Sequence, residues 1–149
     1  MTDYNIAQIN VAKMRFDRNS AEMQPFMNGL EPINALAENS PGFVWRLEDE
    51  SGNATSLVTS LGPDVLVNVS VWKDIESLRA YVYKSAHTNF LRQRSDWFNA
   101  PEEAHMALWW VPVDETPSLE HGIARLQYLR MNGPSERAFG FRDDFPKPA

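Results

Sequence analysis

Cysteine is missing from all 149 residues. Its absence excludes a disulfide framework, a thiolate nucleophile and any thiolate-held metal, and it fits a reducing compartment, so a cytoplasmic location is expected. Glycine is scarce, with seven scattered residues. That leaves no Gly-x-Ser-x-Gly elbow and no phosphate loop, because only glycine lets a backbone approach phosphate closely. Basic residues are also few: 14 Lys plus Arg stand against 20 Asp plus Glu, for a net charge of −6. A phosphate backbone would be repelled, and no nucleic-acid partner is expected. No apolar run approaches the roughly 18 residues that a membrane span needs, and Met1-Thr2-Asp3-Tyr4 does not open a signal peptide, so neither insertion nor secretion is expected. The three histidines, His87, His105 and His121, are too widely spaced for a metal pair on adjacent turns. Each reads as structural or solvated, and no metal site is expected. Glu48/Asp49/Glu50 and Glu102/Glu103 fall near turns and read as solvated caps, not as a paired-carboxylate catalyst.

What is present is an ordinary globular composition, 43% hydrophobic and 11% aromatic. A chain of this size buries roughly 68–70% of its unfolded surface, enough for a core without staples. No repeat, low-complexity tract or linker interrupts it, so residues 1–149 are taken as one domain.

Tyr4 to Lys13 alternates Asn5/Ala7/Ile9/Val11 with Ile6/Gln8/Asn10/Ala12, a strand with two different faces. Met23, Phe26, Met27 and Leu30 recur at helical spacing, and Pro32 opens a second piece carrying Ile33, Leu36 and Ala37, which together read as one broken helix. Phe43 to Leu47 is the next strand, followed by a turn at Ser51-Gly52-Asn53 and a strand over Thr55 to Ser60. Val65 to Trp72 is the clearest strand. Val65, Val67, Val69 and Val71 share one face, while Leu66, Asn68, Ser70 and Trp72 share the other. Asp74 caps a helix running to about Lys84. Another helix is expected from His87 to Trp97, then a strand over Met106 to Val111, and a helix from Thr116-Pro117 to Gly133-Pro134. The aromatic tail, Phe139, Phe141 and Phe145, must cover something.

This order predicts an α+β fold: a ferredoxin-like split βαβ plait with an antiparallel sheet, an extra C-terminal helix and a tail. In such a plait the helices lie on one face. The face bearing Leu66 and Trp72 is therefore expected to be bare, and to be buried by a second copy in a homodimer that forms an α/β barrel.

Asn68 and Trp72 project from one face roughly 13 Å apart, with Ser70 between them, at about 3.3 Å per residue. An amide donates to and accepts from a ligand oxygen, and an indole supplies a flat apolar wall with one donor, which suits a planar aromatic or polyketide-like small molecule. A sheet core with one satisfied polar network fits the same residues. Gln8 and Asn10 on strand one have similar character, and Trp45, Arg46, His105 and one of Trp109 and Trp110 add to the lining. Adjacent residues face opposite ways, so only one of that tryptophan pair can face the lumen. His87 lies just past a helix end and suits either a capping or a proton-carrying role.

Asn68-Val-Ser-Val-Trp72-Lys-Asp-Ile-Glu-Ser-Leu-Arg-Ala-Tyr81, followed by Ser85-Ala-His87-Thr-Asn-Phe90, resembles the core of dimeric α/β-barrel proteins of the antibiotic-biosynthesis monooxygenase type. Pro-Gly-Phe-Val-Trp-Arg at 41–46 and Leu-Trp-Trp-Val-Pro at 108–112 look closer still to an uncharacterised bacterial family of that superfamily. The resemblance implies cofactor-free oxidation of a planar phenolic or anthrone substrate in a homodimer. Asn68, Trp72 and His87 would be the catalytic residues, and Gln8, Asn10, Trp45, Arg46, Ser70, Trp109 and Trp110 would bind substrate. A non-catalytic binding protein or a structural dimer remains the alternative.

Overall fold

Two-residue alternation in the strands decides what each face of the sheet meets. The computed structural model describes residues 3–48, 59–84 and 93–148. Its centre is β1 (Tyr4–Lys13), flanked by β3 (Val65–Trp72) and β4 (Met106–Pro112), with β2 (Phe43–Arg46) outside β3. Every pairing is antiparallel, in the order β2-β3-β1-β4. With α1 (Gln24–Glu38) between β1 and β2 and α2 (Ile75–Lys84) between β3 and β4, this is the ferredoxin-like plait. The extra C-terminal helix is α3 (Leu119–Asn132). Ser118 Oγ caps it by accepting from the backbone N–H of His121, and Gly133 closes it at φ +75°, a conformation that favours glycine. Among the described residues, no helix is long and apolar enough to cross a membrane.

Register sets the two faces. Ile6 opposes Trp72 and Trp110, Gln8 opposes Ser70 and Leu108, and Asn10 opposes Asn68 and Met106. On the reverse face, Ala7 opposes Val71 and Trp109, and Ile9 opposes Val69 and Ala107.

The expectation of a bare Leu66/Asn68/Ser70/Trp72 face is corrected here, since α1 and α2 cover it. Trp72, Ile6, Leu108, Ile75 and Leu78 form one core there, while Leu66 joins Met14, Met23 and Trp97 in another. The valine face instead meets α3, whose Ile123, Leu126 and Leu129 pack on Ala7, Ile9, Val69 and Trp109. Gly122 permits this approach, because a Cβ there would lie 3.2 Å from Ile9 Cδ1. Both faces of the sheet thus meet helices of the same chain, so a homodimer contact would lie on another surface. Strand parity separates two faces but does not say which helix lies on which.

The tail finds its partner too. Leu108 and Phe139 exchange two backbone hydrogen bonds, of 2.7 and 3.0 Å, along the outer edge of β4. Phe139 is fully buried, and Phe141 and Phe145 then pack on the α1/α2 side. The helix expected to break at Pro32 runs unbroken from Gln24 to Glu38. Its stripe of Phe26, Leu30, Ile33 and Asn34 holds one face across the proline. The turn at Ser51-Gly52-Asn53 and most of the Thr55–Ser60 strand lie outside the described residues. Of the helix expected at His87–Trp97, only 93–97 is described, and it is helical.

Candidate functional site

Between the sheet and its two covering helices lies a cavity of about 380 Å³. The volume falls within the usual range for a small-molecule site. Its floor is the polar stretch of β1 and β3: Gln8, Asn10, Asn68 and Ser70. Phe26, Leu30, Ile33 and Asn34 of α1 and Leu78, Tyr81 and Val82 of α2 roof it with mostly apolar side chains at helical spacing. Arg46, Arg94, Trp97, His105 and Phe141 close the sides. A floor of amides under such a roof gives a ligand a flat body site and fixed polar contacts.

The amides hold one another in place. Gln8 is 3% exposed, and its Nε2 donates to Asn68 Oδ1 and to Ser70 Oγ, both at 2.8 Å. Asn10 Nδ2 donates to Gln8 Oε1 at 2.9 Å and to Asn68 Oδ1 at 3.4 Å. Asn68 Oδ1 is therefore an acceptor twice over, which turns the other end of its amide, Nδ2, toward any ligand. Among the described residues Nδ2 has no partner. Ser70 Oγ accepts from Gln8 and, at 3.0 Å, from Trp72 Nε1, so both of its lone pairs are used and its hydrogen is left to donate. The floor thus presents two donors side by side to an oxygen that gains negative charge.

The residues expected at the site divide into three groups. Gln8, Asn10, Arg46, Asn68 and Ser70 line the cavity. Trp72 does not: it is fully buried behind the floor, edge-on to Phe43 and stacked on Tyr81 with ring centroids 5.1 Å apart. Trp45, Trp109 and Trp110 are also elsewhere. Trp45 and Trp109 belong to the core under α3, and Trp110 faces the tail, donating from Nε1 to the Phe145 carbonyl at 2.9 Å. The lumen thus takes neither member of the tryptophan pair, because Trp109 is paired with Ala7 on the wrong face and the tail covers Trp110. His87 lies outside the described residues.

Of the remaining wall residues, His105 was expected in the lining and is found there, whereas Tyr81 and Arg94 were not singled out from the sequence. Burial raises the Tyr81 phenol to about 12, against a smaller opposing pull from Arg46, so it is protonated throughout the neutral range. Its hydroxyl donates to the Ile33 carbonyl at 3.2 Å, tying α2 to α1. His105 is held below its ordinary value, first by burial and then by the guanidiniums of Arg94 and Arg130, which makes it a neutral imidazole at pH 7. The fold delivers His105 to the wall just ahead of β4, where its carbonyl accepts from Val11 N. Arg94 comes from the helical segment 93–97. Arg46 is compensated by two carboxylates, Glu48 at 2.9 Å and Glu38 at 3.4 Å. Among the described residues, no group of three or more His, Asp or Glu is placed to hold a metal ion.

Comparison with solved structures places the fold among known ones. A conserved protein from Methanosarcina mazei Go1 superimposes with a TM-score of 0.53 at 16% identity, covering 71% of this chain and 91% of that one. A protein of unknown function from Nitrosomonas europaea gives 0.50 at 10% identity, covering 77% and 94%. A mutant of SnoaB, a cofactor-independent oxygenase from Streptomyces nogalater, gives 0.49 at 12% identity, covering 75% and 95%. These identities speak to the fold alone. No curated protein matches the sequence. One family model does match, over residues 5–149, and the chain accordingly belongs to the family described as a domain of unknown function, DUF3291.

Proposed function

We propose that the cavity binds a planar, oxygen-bearing aromatic molecule and oxidises it with molecular oxygen without a cofactor. The observation that carries this reading is Asn68 Nδ2, without a partner among the described residues, beside the Ser70 hydroxyl on the floor of a cavity roofed by apolar side chains. Two donors held fixed side by side stabilise an enolate or phenolate oxygen better than mobile groups that must first reorganise. The resemblance of the Asn68–Tyr81 stretch to the antibiotic-biosynthesis monooxygenases points the same way. His105, neutral and on the wall, takes the proton that leaves the substrate carbon. The resulting carbanion adds molecular oxygen to give a hydroperoxide, which loses water to leave a carbonyl. One oxygen atom stays on carbon and the other departs in water. Tyr81 is protonated and its one O–H is held by the Ile33 carbonyl, so it fixes the roof and gives no proton to the ligand.

The test is oxygen consumption with a hydroxylated anthrone, followed on an electrode, with binding read from tryptophan fluorescence. Uptake that disappears in Asn68→Ala and falls sharply in His105→Gln supports the reading. Tight binding without uptake reduces the protein to a carrier, and absence of binding by any planar phenol removes the reading altogether.

A further inference from the structure

The charges around the cavity are unevenly matched. Among the described residues no Asp or Glu lines it, although the whole chain carries a net charge of −6. Two guanidiniums do. Arg46 already meets Glu38 and Glu48, so its charge is answered from within the protein. Arg94 is different: among the described residues its guanidinium has neither an ion-pair nor a hydrogen-bond partner.

Its position is equally specific. Arg94 and His105 line the inner cavity and also a second depression, of about 590 Å³, so they stand at the boundary between the two. Lys13, Asn99, Glu102, Glu103 and Arg130 border the outer depression. Lys13 is paired with Asp64 at 3.8 Å, and Arg130 with Glu103 at 3.5 Å. Arg94 is therefore the guanidinium left over at the junction. Its neighbour His105 is neutral at pH 7 and can donate or accept there.

We propose that Arg94 is the anion-binding residue of the cavity, and that the ligand is an aromatic acid whose ring system lies over the Gln8/Asn10/Asn68/Ser70 floor while its carboxylate meets Arg94 at the junction. A planar guanidinium fork matches a carboxylate in two parallel hydrogen bonds, and a half-buried position strengthens them relative to open solvent. The inference rests on the reading of the cavity as a ligand site and adds the class of ligand, independently of whether turnover follows.

The test compares anthracene-2-carboxylate with its methyl ester, by fluorescence anisotropy at pH 7.5, on the full chain and on Arg94→Gln. The two probes share the ring system and differ by one charge. The acid should bind the parent protein about tenfold or more tightly than the ester, since a charged hydrogen-bonded pair at a part-buried site exceeds the 1.4 kcal/mol that a factor of ten represents. Added salt should weaken the acid and leave the ester alone. Arg94→Gln should remove the preference by weakening only the acid, and Arg94→Lys should restore part of it. Equal binding of acid and ester by the parent, or a preference that survives in Arg94→Gln, overturns the proposal while leaving the cavity reading intact. If neither probe binds, the cavity reading itself fails. Should Arg94→Gln not fold, the acid-to-ester ratio and its salt dependence in the parent decide alone.

Discussion

Replacing Gln8 with alanine, and separately Asn68 with alanine, distinguishes a built site from a core that happens to be polar. Gln8 is 3% exposed and holds three partners: Asn68 and Ser70 through Nε2, and Asn10 through Oε1. Its removal breaks all three bonds, and the cavity lets water replace only some of them. Leaving buried polar groups unsatisfied costs about 1–3 kcal/mol. For a domain of this size each kcal/mol moves the melting temperature by roughly 2–4 °C, so Gln8→Ala should melt about 2–12 °C lower. Asn68→Ala is expected to behave otherwise. It removes the acceptor of one short bond from Gln8 Nε2 and one long bond from Asn10 Nδ2, while Gln8 keeps its bonds to Ser70 and Asn10, so melting should fall by clearly less than in Gln8→Ala. Ligand binding should fall about tenfold, the worth of one good hydrogen bond to a charged oxygen. Calorimetry and fluorescence titration on the same preparations give both numbers. If Asn68→Ala destabilises as much as Gln8→Ala, and binding is unchanged in both, Asn68 is packing and the argument for the floor is wrong.

Other expectations follow from the fold. Val69→Asp, at a position fully buried between β3 and α3, should leave no cooperative thermal transition, since an unpaired buried carboxylate costs several kcal/mol; a native-like melt would mean the valine face is not the core. Gly122→Leu should lower stability by about 1–3 kcal/mol in a urea titration, because even a Cβ meets Ile9 Cδ1 at 3.2 Å and Trp109 Cη2 at 3.4 Å; no change in midpoint would show that α3 is not held this close. His105 has its proton affinity depressed in the fold, so the unfolded chain binds the extra proton more readily, and stability present above about pH 6.5 is lost as pH falls through the folded value. Urea titrations from pH 7.5 to 5 should show that part of the loss disappear in His105→Gln, and identical profiles would contradict the assignment. Light scattering at micromolar concentration tests the expected homodimer: twice the 17.0 kDa chain mass would place its contact on a surface other than the sheet face that α3 fills, and the chain mass alone would remove it.

Much of this was legible where the chain repeats itself. β1 and β3 could be bounded from alternation alone, and Gly133-Pro134 marks the end of α3, because period and punctuation are local properties. The polar floor followed from the same parity, since Gln8, Asn10, Asn68 and Ser70 fall on the even positions of two strands. What parity does not carry is assignment of a face to a covering element. Trp72 looked like a wall because it shares the face of Asn68, yet Phe43 and Tyr81 enclose it. Trp109 and Trp110 were undecidable until β4 was set against Ala7 and Ile6. Arg94 and His105 reach the site from the stretch ahead of β4, and no spacing within the sequence connects them with Asn68.

The closing segment of the chain also governs the order in which the molecule can become insoluble. Until α3 has left the ribosome, the sheet presents Ala7, Ile9, Val69, Val71 and Trp109 as a continuous oily surface, and until Phe139 follows, β4 offers an unpaired edge. During that time a neighbouring nascent copy offers the same surface and the same edge. A copy whose α3 and Phe139 are not yet docked is thus the form prone to pair with another, and docking of residues 113–139 within one chain competes with aggregation between chains.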